Sequence, residues 1–335
     1  MIKLAFFVGQ SKRIESGELE LSIGADSRLG KVLKTYPNAG FSIFTGTVGE
    51  NRKAVIELHN EKRVIEFVKI ALTEAAKELV GNEMRSLKKL SQYKFEKVII
   101  PKLLYQNNVD TIGLSNIKPK TFTQAPRLME LHVEALYELY EKTHEHVKWS
   151  NLDILHECKK NIEILLADFE VINDLEKNRI HDLTSKLLQL MSKLEKEEEV
   201  ITVALSHGDF TPWNMYVNDK LYLFDWELSQ DNIPLLFDPF HFVFQSEVMI
   251  KHTTYNELVN ELKRFITMEN TQKLFKTFHI DVNKNYLFYL LYNISYYLNK
   301  YIKQEQLHDQ VFWLINVWKD AVNDLSSKEG ILFET

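Results

Sequence analysis

Within SHGDFTPWNMYVNDKLYLFDWE, residues 206–227, the groups His207, Asp209, Asn214, Asp225 and Glu227 stand among residues that otherwise read as buried β structure. VITVALS, 200–206, is an apolar run ending in His207-Gly208-Asp209, a strand that feeds a tight turn. MYV at 215–217 and LYLF at 221–224 flank Asn218-Asp219-Lys220 and predict a β-hairpin. Pairing centred on residue 219 sets Asn214 roughly opposite Phe224 and Asp225, so an amide oxygen and a carboxylate reach the same end of the ladder. Such oxygen donors suit Mg2+, which takes few protein ligands and completes its shell with water and phosphate. Asp209, just ahead of the hairpin, is placed to take the proton of a hydroxyl nucleophile. The segment is a candidate phosphoryl-transfer centre, whereas Asn218 and Asp219 read as plain turn residues.

Phosphoryl transfer also asks for a cation on the nucleotide's phosphates and a carboxylate to orient it. In RVIEFVKI, alternation puts Ile65, Phe67 and Lys69 on one face, so Lys69 extends an otherwise apolar side of a strand. On the next helix Glu83 falls in register with Ala76, Leu87 and Leu90 and interrupts an inward apolar stripe. A buried carboxylate needs a counter-charge, and Lys69 and Glu83 answer one another, with Glu78 in reserve. Upstream, FTGTVGENRKAVIEL predicts two strands joined by a glycine-containing turn, where Gly46 and Thr47 are candidates to lay backbone N–H groups over phosphates.

His207-Gly208-Asp209-x-x-x-x-Asn214 followed by Phe224-Asp225-Trp226-Glu227 resembles the catalytic and metal-binding motifs of the aminoglycoside phosphotransferase and choline kinase-like family. Those are small-molecule kinases with a protein-kinase-like fold. The resemblance implies Asp209 as catalytic base, Asn214 and Asp225 as metal ligands, and His207 as a catalytic-loop residue that orients the loop or takes part in catalysis. It implies ATP, with GTP an alternative, and Mg2+ as cofactors. The connection from Leu114 to Ile117, with Ser115 and Ile117, would be the hinge that meets a purine through main-chain groups. Asp238 in LLFDPFHF resembles the aspartate that opens the next helix and braces the catalytic loop, and before Pro239 it reads equally as a helix cap. In protein kinases an arginine typically follows the histidine and a glycine lies two positions after the second metal aspartate. Gly208 and Glu227 stand there in this chain, which favours the small-molecule branch. Residues 1–38 and 150–199 match no motif of the family.

The elements that must position these groups are legible as patterns. GFSIFTG, KAVIEL, RVIEFVKI, VIIPKLL and TIGLS predict short antiparallel strands between about residues 39 and 116. One helix over roughly 72–92 interrupts them, either whole or split at Gly81-Asn82. From 122 to 199, runs such as LMELHVEALYELYEKTHEHV predict helices with almost no strand signal, and helices resume after the hairpin. The expected fold class is α+β: a bilobal protein-kinase-like fold with a small sheet lobe, 1–116, and a larger, mostly helical lobe, 117–335.

With 335 residues, 45% apolar and 26% charged, the chain can bury a large core, and its length suits two lobes. A formal charge of −6 without a basic run argues against a nucleic-acid partner. The single cysteine, Cys158, permits no internal disulfide and reads as a packing residue, which fits the cytoplasm. No apolar window is long enough to span a membrane, and MIKLAFFVGQ is too brief for a signal sequence. The expected state is a monomer or weak dimer acting on a small-molecule hydroxyl acceptor. Glu227, Asp231 and Glu247, or the aromatic residues of YLFYLLYNISYYLNKY, 286–301, are candidates to line its pocket, the latter set reading more readily as core. Two other functions fit the same residues less well: a catalytically silent nucleotide-binding relative, and a metal-dependent hydrolase on His207, Asp209 and Asp225. His144 and His146 add nothing to the hydrolase reading, because residues two apart on a helix face different sides.

Overall fold

The computed structural model describes residues 23–46, 49–60, 63–107, 110–167, 174–302, 309–328 and 332–333. Helix α1 (Arg28–Thr35) leads into strands β1 (Gly40–Phe44), β2 (Lys53–Asn60) and β3 (Arg63–Ala71). Helix α2 (Glu74–Leu90) and strands β4 (Val98–Ile99), β5 (Leu103–Asn107) and β6 (Thr111–Ser115) follow. Next come α3 (Glu130–Thr143), β7 (Glu145–Lys148), α4 (Asp153–Leu166), α5 (Asp174–Leu194) and β8 (Val200–Ser206). The hairpin strands β9 (Met215–Val217) and β10 (Leu221–Leu223) precede β11 (Gln230–Pro234). Helices α6 (Phe237–Phe244), α7 (Tyr255–Ile266), α8 (Glu269–Phe278), α9 (Val282–Tyr301) and α10 (Asp309–Ser327) complete the order.

The chain divides into two compact units that are not contiguous in sequence. The first holds the residues up to Lys94, Ile99–Gln124 and the hairpin segment Trp213–Ser229. The second holds Phe95–Val98, Ala125–Pro212 and the chain from Gln230 onward. The lobes expected at 1–116 and 117–335 are each one stretch of chain, whereas the first compact unit takes back a segment from the middle of the second.

In the first unit an antiparallel sheet has the order β1-β2-β3-β6-β5. Alternation on β2 buries Ala54, Ile56 and Leu58, which join Val68 and Ile70 of β3 and Val32 of α1 in one cluster. Each fully buried aliphatic side chain there stabilises by roughly 1.5–3 kcal/mol. Helix α1 lies in the stretch that matches no family motif; Ser27 caps it, accepting the Gly30 N–H at 2.9 Å. Helix α2 is continuous, starts at a Thr73 cap and buries Ala76, Val80, Glu83, Leu87 and Leu90, so Gly81-Asn82 does not split it.

The second unit is mostly helical around a small antiparallel sheet of order β11-β8-β7. Two of those strands depart from the sequence reading. The run expected to stay helical through Val147 ends its helix at Thr143 and returns as β7, with Glu145 paired to Val203. Its EHVK is almost wholly exposed, so the strand carries no apolar alternation. The α9 aromatics divide: Tyr286, Phe288 and Tyr289 are fully buried in the core, while Tyr292, Tyr296, Tyr297 and Tyr301 are half-buried. Cys158 is buried, and burial pushes its thiol up to about 12, consistent with a packing role. Among the described residues no helix is long and apolar enough to cross a membrane.

Candidate active site

Lys69 occupies the face of β3 opposite Val68 and Ile70, and its side chain is 4% exposed. The ammonium donates to Glu83 Oε2 at 2.5 Å and to Asp225 Oδ1 at 2.6 Å. Burial alone would lower its proton affinity; the charges of Asp225 and Glu83 outweigh that and hold it above the ordinary lysine range. The partner expected from helical register is therefore the partner observed, and Glu78 is exposed.

Asp225 reaches Lys69 because the hairpin has the register set by its turn. Leu221, Tyr222 and Leu223 pair with Val217, Tyr216 and Met215, and the Phe224 N–H donates to the Asn214 carbonyl at 3.0 Å. The buried Asn214 thus sits opposite Phe224, one residue from Asp225. Asp225 itself is left-handed, φ 70° and ψ 60°, a conformation that costs most non-glycine residues about 1–2 kcal/mol and is least unfavourable for Asp and Asn. That bend turns the chain from β10 into the short 3-10 turn Trp226–Leu228. Helix α2 clamps the turn from the other side: Asn82 Nδ2 donates to the carbonyls of Glu227 at 2.9 Å and Ser229 at 2.8 Å, and Ser86 bonds the Ser229 hydroxyl. Glu227 also pairs with Lys53, the first residue of β2.

Glu83, Asp225 and Glu227 bring carboxylate oxygens within 4.8 Å of one another. Three carboxylates facing Lys69 and Lys53 leave one net negative charge, and Glu83 Oε1 is buried without a hydrogen-bond partner. Hard oxygen donors, surplus negative charge and an orphaned carboxylate oxygen fit a divalent cation such as Mg2+.

In the second unit the loop after β8 is held by one buried carboxylate. Asp238 accepts the Ser206 hydroxyl at 2.8 Å, the His207 N–H at 2.7 Å and the Gly208 N–H at 3.1 Å. Helix α6 is capped at Leu236 and Asp238 lies in its first turn, so Asp238 braces the loop and is not the cap residue. Gly208 has φ 80°, which a side chain would resist, and so lets two successive N–H groups turn toward Asp238. His207 is fully buried, and its Nδ1 accepts the Asp209 N–H at 3.3 Å. The Asp209 side chain is 29% exposed, and its Oδ1 meets His241 Nε2 at 3.3 Å. Its charge also acts on the Tyr297 phenol, which burial first and Asp209 second push well above the usual tyrosine range.

Gly46 enters the β1–β2 turn with φ 66°, and Thr47 falls outside the described residues. Ser115, at the end of β6, spends its N–H on the Lys102 carbonyl at 2.9 Å and its hydroxyl on the Lys102 N–H at 2.8 Å. Ile117 is half-buried just beyond it. Glu247 is buried and paired to Lys251, while Asp231 is exposed on β11.

Sequence reasoning missed three features. Glu66, fully buried on β3, accepts Tyr36 Oη at 2.7 Å and Tyr105 Oη at 2.8 Å; the Tyr105 ring lies where a Cβ on Gly113 would stand. A charged residue on the apolar-facing phase of RVIEFVKI was the available signal. Asn82, four residues after Glu78, and His241, three residues after Asp238, were each in helical register with a residue already singled out.

No protein-family model matches the chain, and no curated protein matches it in sequence. Solved structures do. Choline kinase LicA from Streptococcus pneumoniae superposes with a TM-score of 0.56 at 16% identity, covering 89% of this chain and 98% of that one. The gentamicin complex of APH(2")-IIa gives 0.56 at 15% identity, with 89% and 99% covered. A glucosamine kinase gives 0.52 at 11% identity, with 89% and 83% covered. The chain has the aminoglycoside phosphotransferase and choline kinase fold. Within that fold the antiparallel sheet with α2 and the mostly helical second unit are the two parts expected of an α+β, kinase-like chain.

Proposed function

We propose that the chain is an ATP-dependent phosphotransferase that moves the γ-phosphoryl group to a hydroxyl of a small molecule, an aminoglycoside, sugar or amino alcohol. The observation that carries the reading is the Lys69 ammonium, buried between Glu83 and Asp225. A lysine so held has no role in packing that an apolar residue would not fill better, and its charge suits a nucleotide's phosphates. Names of proteins with the same fold point the same way: one is a choline kinase, also solved with AMP, one a glucosamine kinase, and aminoglycoside phosphotransferases were solved with ATP or GDP.

In this reading Lys69, oriented by Glu83, would hold phosphate oxygens, and Asn214 and Asp225 would hold Mg2+, with Glu227 as a further carboxylate of the cluster. Bound magnesium supplies charge neutralisation on the phosphates. Gly46 and Thr47 offer backbone N–H groups, and the main chain at Ser115 and Ile117 meets the purine, with GTP the alternative to ATP. Asp209 takes the hydroxyl proton as the acceptor oxygen bonds to the γ-phosphorus. The bond from that phosphorus to the bridging oxygen breaks, and its electron pair leaves on ADP. His207 and Asp238 fix the loop that presents Asp209. A reducing cytoplasm suits the single buried Cys158.

ATP turnover measured across a panel of sugars, amino alcohols and aminoglycosides tests the reading, with Asp209→Asn as control. Transfer to at least one acceptor, lost in the variant, is expected. Nucleotide binding with no transfer to any acceptor would instead favour a silent relative.

A further inference from the structure

One turn of α6 carries two side chains toward the same loop. Asp238 holds the backbone of residues 206–208, and three residues later His241 reaches the side chain of Asp209. Positions three apart on a helix share a face, so the helix that fixes the loop's main chain also fixes its carboxylate. His241 is 1% exposed, and aromatic rings limit how it can turn: Phe237 stacks on it at 6.0 Å and 6°, and Tyr289 meets it edge-on at 6.3 Å. Its Nδ1 is buried without a hydrogen-bond partner. A hydrogen on Nδ1 would be a buried donor with no acceptor, whereas a hydrogen on Nε2 has the Asp209 carboxylate at 3.3 Å. These surroundings select the tautomer that donates through Nε2.

We propose that His241 is a positioning residue for the base: its Nε2–H pins Asp209 Oδ1, fixing the carboxylate plane so that the other oxygen takes the acceptor's proton. His241 itself gains and loses no proton in the step. The inference rests on the phosphotransferase reading, because a positioned base matters only if a hydroxyl is deprotonated. A contact of 3.3 Å is long for a hydrogen bond, and such contacts commonly tighten when substrate binds.

Two substitutions separate positioning from packing. His241→Phe keeps a ring among Phe237 and Tyr289 and removes the donor; His241→Gln keeps an N–H near the place of Nε2. With melting temperatures matched to the parent, His241→Phe is expected to lower kcat by about 10- to 100-fold while both KM values hold within about twofold. His241→Gln is expected to recover most of the loss. Parent-level kcat in His241→Phe, or no recovery in His241→Gln, overturns the proposal while leaving the phosphotransferase reading intact. A second arm does not need turnover: 15N NMR of the imidazole is expected to show hydrogen on Nε2, with a resonance that moves in Asp209→Asn. Hydrogen on Nδ1, or a ring indifferent to that substitution, refutes the contact. A parent that transfers no phosphate would refute the function and leave the NMR arm to judge the contact.

Discussion

The cluster around Lys69 and the loop before Asp209 solve the same problem, holding a charged side chain still, by opposite means. In the first unit charge holds charge: a nearly buried ammonium lies between Glu83 and Asp225, and Lys53 meets Glu227. In the second unit the main chain does most of the holding, since two backbone N–H groups and one hydroxyl converge on Asp238 and leave the Asp209 side chain partly exposed. If the proposed function holds, the ion pairs of the first unit would yield to phosphate and metal, whereas the braced loop of the second would present Asp209 from a fixed main chain.

The largest expected effect breaks the second region at the partly exposed Asp209. Asp209→Asn should lower kcat by about 10^2- to 10^4-fold while calorimetry finds nucleotide affinity within about threefold of the parent. Next in size, Lys69→Met leaves Glu83 and Asp225 facing each other without their cation. Removing one member of a buried pair costs about 3–5 kcal/mol, to be read in urea unfolding, and nucleotide affinity should fall with it.

A third expectation concerns pH. His132 is fully buried, and burial lowers its pKa from 6.5 to about 4; its Nδ1 accepts the Met129 N–H at 3.1 Å. The folded state therefore binds its proton less readily than the unfolded chain. The sign follows: no contribution appears above pH 6.5, and stability is lost as pH falls from 6.5 toward 4. The loss should total about 3 kcal/mol, at about 1.36 kcal/mol per pKa unit, and be absent from the pH dependence of His132→Gln. His132 lies on α3, so this part of the acid response belongs to the helical scaffold. The smallest effect sharpens the contrast directly. Asp238→Asn keeps the shape and removes the charge that the loop's donors share, and should cost about 1.5–3 kcal/mol in unfolding together with a drop in kcat at unchanged nucleotide affinity. An equal loss of nucleotide affinity would mean that the loop and the charged cluster are not separable.

Much of this contrast was legible in the sequence where it rests on local geometry. The hairpin register follows from Asn218-Asp219-Lys220 between alternating strands, and the observed Leu221–Val217 pairing is centred on residue 219. Lys69 and Glu83 are found by combining a period of two on the strand with helical register on α2. What escaped is non-local or featureless in pattern. Glu66 is satisfied by tyrosines 30 and 39 residues away, a distance that no local periodicity spans. Strands β7 and β11, EHVK and QDNIP, lie at the two edges of their sheet; the first is mostly exposed and the second passes from exposed to buried along its length, so both lack the alternation that marks a strand. The left-handed backbone of Asp225 is likewise invisible in composition, because the surrounding turn, not the residue type, imposes it.

The most direct test follows the phosphorus atom. With γ-labelled ATP, magnesium and the acceptor panel, mass spectrometry of the products should find the label on an acceptor hydroxyl in amounts equal to the ADP formed. Label released only as inorganic phosphate, or ATP recovered intact from a protein that binds it, would contradict the account.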